Sequence, residues 1–310
     1  MKRTTFVVAG MLVITLCGVT AAFNPNQTAL RYYAYVPDAN MPTVDGVFSD
    51  GEWDWVPDAF VYKMADYWDA DRNAEPWSVA FTEPFTAEDF DVPFCFLGWN
   101  KTANTIVWGI QVVDDVFYAP QDYYNTWRGI DSIYWYMDAD GDGGRYQYYD
   151  PARTGVDGQQ GIFRYDEDPE GRSHLGCYGG DEVQWAFKPP YTQVGVDLDP
   201  VTGSATVEVT MQVFNWMENE STGGADASDL HILTEGEILG SRFTIYDQDS
   251  DDENDAAMLT FNPKGSLEED NAFTADDFAQ WLLLSEEETL AGQVAVESTT
   301  WGQVKALLNN

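Results

Sequence analysis

Apolar and polar residues alternate in short runs through most of this chain. In "TIVWGIQVV" the residues Ile106, Trp108, Ile110 and Val112 fall on one face, and in "ATVEVTMQVF" Val207, Val209, Met211 and Val213 oppose Glu208, Thr210 and Gln212. A period of two places alternate side chains on opposite faces of a half-buried strand. The runs "LRYYAYV", "AFVYKM", "VPFCFLGW", "IDSIYWYM", "GIFRY", "VQWAFK", "SRFTIY" and "AAMLTF" read the same way, with Gly, Asp, Asn and Pro between them. About ten strands with little helical periodicity predict an all-β protein, an antiparallel β-sandwich. Helical signals are confined to the C-terminal part. "TADDFAQWLLL" offers Thr274 as an N-cap with Asp277 three residues on, and "STTWGQVKALL" begins at Ser298 or Thr299.

The ends of the chain divide it further. Lys2 and Arg3 precede an apolar run from Phe6 to Val19 and small residues at Thr20 to Ala22, the pattern of a secretory signal too short to span a bilayer. Leu16 occupies the place before Cys17 where a lipoprotein signal carries a small residue. The expected organisation is a signal peptide over 1–22, a β-sandwich over 23–266, and a closing segment with a tail over 267–310. The address is extracellular or at the cell surface, or periplasmic in a cell with two membranes. The tail, with one Trp and a short apolar face, is a candidate for attachment to the surface. No later apolar stretch reaches the length of a membrane-spanning helix.

Charge narrows the partners. The 310 residues carry 53 acids and 15 bases, a formal charge of −38. That repels polyanions, so nucleic acid and anionic membranes are excluded as expected partners. Cys95 and Cys177 leave two alternatives, one disulfide or two separate thiols, and with His174 and His231 far apart they build no zinc site by themselves.

The acids cluster where they could hold a hard cation. Asp138, Asp140 and Asp142 followed by Gly143 fit D-x-D-x-D-G, in which alternate carboxylates converge and the glycine allows the sharp turn. Position 12 of a helix-loop-helix calcium site would be a bidentate Glu. Here it is Tyr149, with Asp150 next. A calcium-bound β-turn is therefore expected. A second cluster, Asp247, Asp249 and Asp251, follows "SRFTIY"; Asp247 continues the face of Phe243 and Ile245, and once buried it needs a partner.

Aromatic residues form 15% of the chain, including 12 Trp. Their faces stack on the C–H faces of sugar rings while carboxylates and amides take the hydroxyls. Trp68, Trp77, Trp127 and Trp185 are the candidates for such a platform, whereas Trp108 and Trp135 lie on strand faces and read as core. Trp53 is either site or plug. With 53 acids no catalytic carboxylate pair stands out, and the chain has no nucleophile elbow, phosphate loop or His-rich metal signature, so no enzyme is expected.

Several segments in order resemble a family of extracellular domains. "TVDGVFSDGEWDWVP" (Thr43 to Pro57) is similar to the opening of a family-9-like carbohydrate-binding module. "VVDDVFYAP", "WRGIDSIYWYMDAD", "ATVEVTMQVF" and "EGEILGSRFTIYDQDSDDE" resemble its later strands. Together they reach from about residue 43 to 260. The stretch "MADYWDADRNAEPW" and the long segment from Pro151 to Pro190 depart from the pattern, where the family contacts its ligand. The resemblance implies a jelly-roll-like sandwich, calcium, and binding of a polysaccharide or oligosaccharide outside the cell. Its rivals are a calcium-stapled structural or adhesive surface protein, and a haem-binding relative of the DOMON type with Met and His ligands drawn from Met137, Met211, His174 and His231.

Overall fold

A computed structural model describes residues 31–67, 78–81, 90–118, 131–144, 158–164, 181–199, 201–249, 256–260, 275 and 278–292. The signal segment, the tail beyond 292, Trp68, Trp77, Trp127, Asp150, Asp251, Cys177 and His174 lie outside these residues. The strands are β1 (Arg31–Tyr35), β2 (Val61–Tyr62), β3 (Ser78–Phe81), β4 (Phe90–Asn100), β5 (Thr105–Asp114), β6 (Ser132–Asp138) and β7 (Gln159–Arg164). They continue as β8 (Thr192–Asp199), β9 (Ser204–Met211), β10 (Phe214–Trp216), β11 (Asp229–Leu230), β12 (Ile238–Gln248), β13 (Ala256–Thr260) and β14 (Ala279–Leu283). One short helix, α1 (Glu286–Leu290), follows. None of the described helices is long and apolar enough to cross a membrane.

The strands form two layers joined at one edge. In the first, β12 pairs with β6 along one side and with β14 and β13 along the other; β7 extends it beyond β6 and β3 beyond β13. In the second the order is β4-β5-β9-β8, all antiparallel. β1 runs parallel to both β14 and β4 and so belongs to both layers. Between them lies the core, where Trp108 packs edge-on against Phe163 and Phe243 and meets Trp135 at 6.1 Å. Ile106, Ile110 and Val112 of β5, Val207, Val209 and Met211 of β9, and Met137 of β6 point into this core, as the alternation predicts.

The outer face of the second layer is also covered. Residues 43–57 form a strap that lays Trp53 and Val56 against Phe96 and Val107, making a smaller apolar cluster outside the sheet. Glu208 of β9, expected on a solvated face, is fully buried under it. Its carboxylate accepts Trp53 Nε1 at 3.0 Å, Gly46 N at 3.0 Å and Asp45 N at 3.2 Å. Its neighbours in register are Gly109 on β5 and Gly195 on β8. A Cβ on Gly109 would meet the Trp53 ring at 2.6 Å, and one on Gly195 would meet Gly46 N at 2.2 Å. The two glycines thus clear the surface on which the strap rests. Trp53 is therefore a structural plug.

Four segments differ from expectation. Of "AFVYKM" only Val61–Tyr62 is strand, with 3-10 turns over Asp58–Phe60 and Met64–Tyr67 on either side. "VQWAFK" is a 3-10 helix over Asp181–Phe187, with Val183 and Ala186, three apart, buried together. Pro189 and Pro190 follow at once and lack the N–H groups with which a strand would continue. "FAQWLLL" is strand β14 in place of a helix; it is buried on both faces, Trp281 and Leu283 in the main core and Leu282 and Leu284 in the outer cluster. The described α-helix is α1, with Ser285 as N-cap in a capping box with Glu288, and the helix expected in "STTWGQVKALL" lies outside the described residues. Cys95 is a buried free thiol.

Candidate cation centre at the end of the sandwich

The ends of β5, β6 and β12 carry acids to a common point where the two layers meet. Asp114 closes β5, and its N–H donates to Gly203 O at 2.9 Å. Gly203 lies at φ +65°, and a Cβ there would stand 2.4 Å from Asp114 O, so this approach needs glycine. Asp131 immediately precedes β6, and Ser132 pairs with Tyr246, which sets Asp131 beside Asp247 of β12. Asp249 follows β12 by one residue, and Asp115 follows Asp114.

The structure gathers these side chains into two groups. Carboxylate oxygens of Asp114, Asp131 and Asp247 lie within 4.8 Å of one another, and so do those of Asp114, Asp115 and Asp249. The first three residues are only 1%, 3% and 3% exposed. Asp131 is held from both sides, by Gln248 N at 2.9 Å and by Tyr118 N. Asp114 Oδ1 accepts Val116 N at 2.8 Å, whereas no hydrogen bond reaches its buried Oδ2. Across the cluster the Asp114 carboxylate meets another acid, Asp247.

Electrostatics follow from this crowding. Burial, then the charges of Asp249 and Asp115, pushes the Asp114 carboxyl up to about 7. Burial, then Asp114 and Asp247, raises Asp131 well above the ordinary carboxylate value. Like charges in a site shielded from water cannot all remain ionised without something positive among them. The donors are all carboxylate oxygens and the spacing suits ligands arranged around one ion, which fits a hard cation of the calcium type.

The D-x-D-x-D-G loop lies at the opposite end of β6. Oxygens of Asp138, Asp140 and Asp142 converge within 4.8 Å, with Asp138 buried and the other two exposed. Asp138 Oδ1 accepts Gly141 N at 2.9 Å and Oδ2 accepts Gly143 N at 3.1 Å, so the carboxylate also folds the turn that Gly141 and Gly143 allow at φ +65° and +69°. Burial, with Asp140 and Asp142 nearby, lifts Asp138 to about 7 against those two donors.

Sequence reasoning named Asp247 and Asp249 and expected the first to be buried. It passed over Asp114, Asp115 and Asp131. Their signal was present, because "VVDD" and "GIDSIYW" place acids where an apolar alternation stops or starts. What the sequence hid is that three strand ends from two layers meet.

The other candidates are placed differently. Trp185 is half-buried; Nε1 donates to Glu218 O at 3.0 Å, and the ring stands edge-on to Tyr191 and Phe214 at 5.1 and 5.2 Å. That packing anchors the Asp181–Phe187 turn and does not present a flat open face. Both ring nitrogens of His231 are engaged, Nδ1 with Asn215 Oδ1 at 2.6 Å and Nε2 with Glu237 Oε1 at 3.0 Å. Met137 and Met211 are core residues. None of these three is poised to ligate haem.

No family model matches the chain, and no curated protein matches it. Among solved structures it is similar to a family-9 carbohydrate-binding module from Caldicellulosiruptor kristjanssonii in complex with cellotriose. That match has 15% identity and a TM-score of 0.47 and covers 87% of this chain and 100% of that one. The same kind of module in complex with glucose matches at 16% identity and TM-score 0.47, covering 82% and 95%. These are likenesses between distant chains, and neither bound sugar is thereby assigned to this one.

Proposed function

We propose that the protein is a secreted, non-catalytic carbohydrate-binding module whose sandwich is stapled by calcium. The observation that carries the staple is the buried trio Asp114, Asp131 and Asp247, which joins the last residue of β5 in one layer to β6 and β12 in the other. An ion held there ties the layers together where no strand pairing does. The sugar-binding part is supported by the ordered segments from Thr43 to Glu253, and by the abundance of tryptophan. A catalytic role for the trio is disfavoured by its burial: acids 1% to 3% exposed do not reach a glycosidic bond.

Binding of the full chain to a glycan panel, with calcium and then with chelator, tests this reading. Calcium-dependent binding that is lost in Trp68→Ala, Trp77→Ala or Trp127→Ala supports it. Retention on no glycan, with a chelator-sensitive melting temperature, leaves only the staple. One observation favours that second reading, a structural or adhesive scaffold: Trp185, the platform candidate within the described residues, is wedged into its own domain. Attachment through the tail is tested separately, since deletion of residues 293–310 abolishes surface retention if the tail is the anchor.

A further inference from the structure

We infer that the rim centre holds two cations, with Asp114 as the carboxylate that bridges them. The inference rests on the cation-staple reading and deepens it. The two groups of acids share one member: Asp131 and Asp247 converge with Asp114 on one side, Asp115 and Asp249 on the other, and the five do not collapse into one group. Two overlapping trios that share Asp114, in place of one group of five, are the arrangement expected of two neighbouring ions bridged by that residue. Each trio separately has the spread expected of oxygens around a calcium ion, about 2.3 to 2.6 Å from it.

Asp114 is built for the shared position. Its Oδ1 takes a single N–H, from Val116, and its Oδ2 is buried with no hydrogen bond. A carboxylate has about four acceptor sites. One is used, which leaves lone pairs on both oxygens, one for each ion. Charge points the same way, because a single divalent ion leaves five neighbouring carboxylates with a formal excess of about three negative charges, and two ions leave about one. The chain has few bases to supply the difference, 15 against 53 acids.

The two positions differ in access. Asp131 and Asp247 are buried, whereas Asp115 is exposed and Asp249 partly so. The inner ion is thus shielded and slow to exchange, and the outer one faces water and exchanges readily. The outer ion, held by the exposed pair, is the one that responds to the calcium level around the protein.

Manganese(II) titration of the full-length protein, followed by electron paramagnetic resonance, tests the bridge. Two ions sharing a carboxylate lie about 3.5–4 Å apart and couple magnetically. The expected course is an isolated-ion spectrum at low manganese that gives way to a coupled-pair spectrum at saturation. Asp249→Asn and Asp115→Asn, both at the water-facing side, remove the coupled spectrum, keep the isolated one, and lower bound calcium by one ion in calorimetry. Asp114→Asn removes the coupled spectrum and lowers bound calcium by two ions, leaving only the isolated-ion signal of the separate Asp138 loop. Bound manganese that never shows coupling overturns the bridge while leaving a single-ion staple. Failure of the protein to bind either metal overturns the staple itself.

Discussion

Glu208, Gly195 and Gly46 show how single residues hold the strap down. A Cβ on Gly195 would meet backbone atoms of Asp45 and Gly46 at 2.2 to 2.7 Å, with no flexible side chain to yield. Gly195→Ala is expected to cost about 1–3 kcal/mol in urea unfolding, the usual cost of overpacking. Glu208→Gln replaces one acceptor oxygen by an N–H donor among three N–H donors, with a loss of roughly 1–3 kcal/mol. An unchanged urea midpoint in both variants would mean that the strap is not held as described. Trp185 separates anchor from platform in the same way. As an anchor, its replacement by Ala lowers stability by roughly 2 kcal/mol, below the range for a fully buried Trp; a platform residue would leave the melt where it is. None of this was legible in an alternation that sorted Glu208 with Thr210 and Gln212 as solvent-facing, because alternation assigns a face without saying what covers it.

Strands whose alternation survives were legible from the sequence even where both faces are covered, as β5 is with Val107 in the outer cluster, and an unbroken apolar run was not. β5, β6, β9 and β12 stand where their patterns put them. β14 was hidden because Trp281, Leu282, Leu283 and Leu284 form an unbroken apolar run, in which the period of two disappears once both faces are covered. The edge strand β8 was missed for the opposite reason: "TQVGVDLD" buries little along its length. The signal for α1 was present as Ser285 with Glu288 three residues on, directly after that apolar run. Tyr35 N donates to Thr289 Oγ1 at 2.8 Å, so α1 is docked on β1. Ser285→Ala removes the cap and is expected to cost about 1 kcal/mol, visible as a lower melting temperature. An unshifted melt would show that docking alone holds the helix.

For the molecule as a whole, the buried acids set opposite pH responses with and without metal. Asp114 and Asp138 are raised to about 7 from 3.8, and Glu208 to about 7 from 4.5, burial being the largest cause in each. The ion-free fold therefore favours the neutral acids. Their stabilising contribution is full below about pH 4 and is lost as pH rises through 7. In chelator, the melting temperature is expected to fall between pH 4.5 and 8. Under the proposed calcium staple, Asp114 and Asp138 would deprotonate as ligands, and the midpoint in calcium is expected to rise over the same range. A melting temperature that climbs with pH in chelator would contradict the burial of these acids. The overall class was the most legible feature, since a sandwich needs only many short alternating strands. The rim centre was the least, since it is assembled from residues 114 to 249.

The position of β1 bears on how the chain comes to fold. The first described strand is flanked by β4 and by β14, the latter about 250 residues further along. Until residues 279–283 have been synthesised, β1 lacks one neighbour and half of β12 has an open edge. Such pairing between distant parts of a chain makes closure slow and late. A nascent or exported chain thus leaves this seam unclosed until β14, the last described strand, arrives between two that were waiting for it.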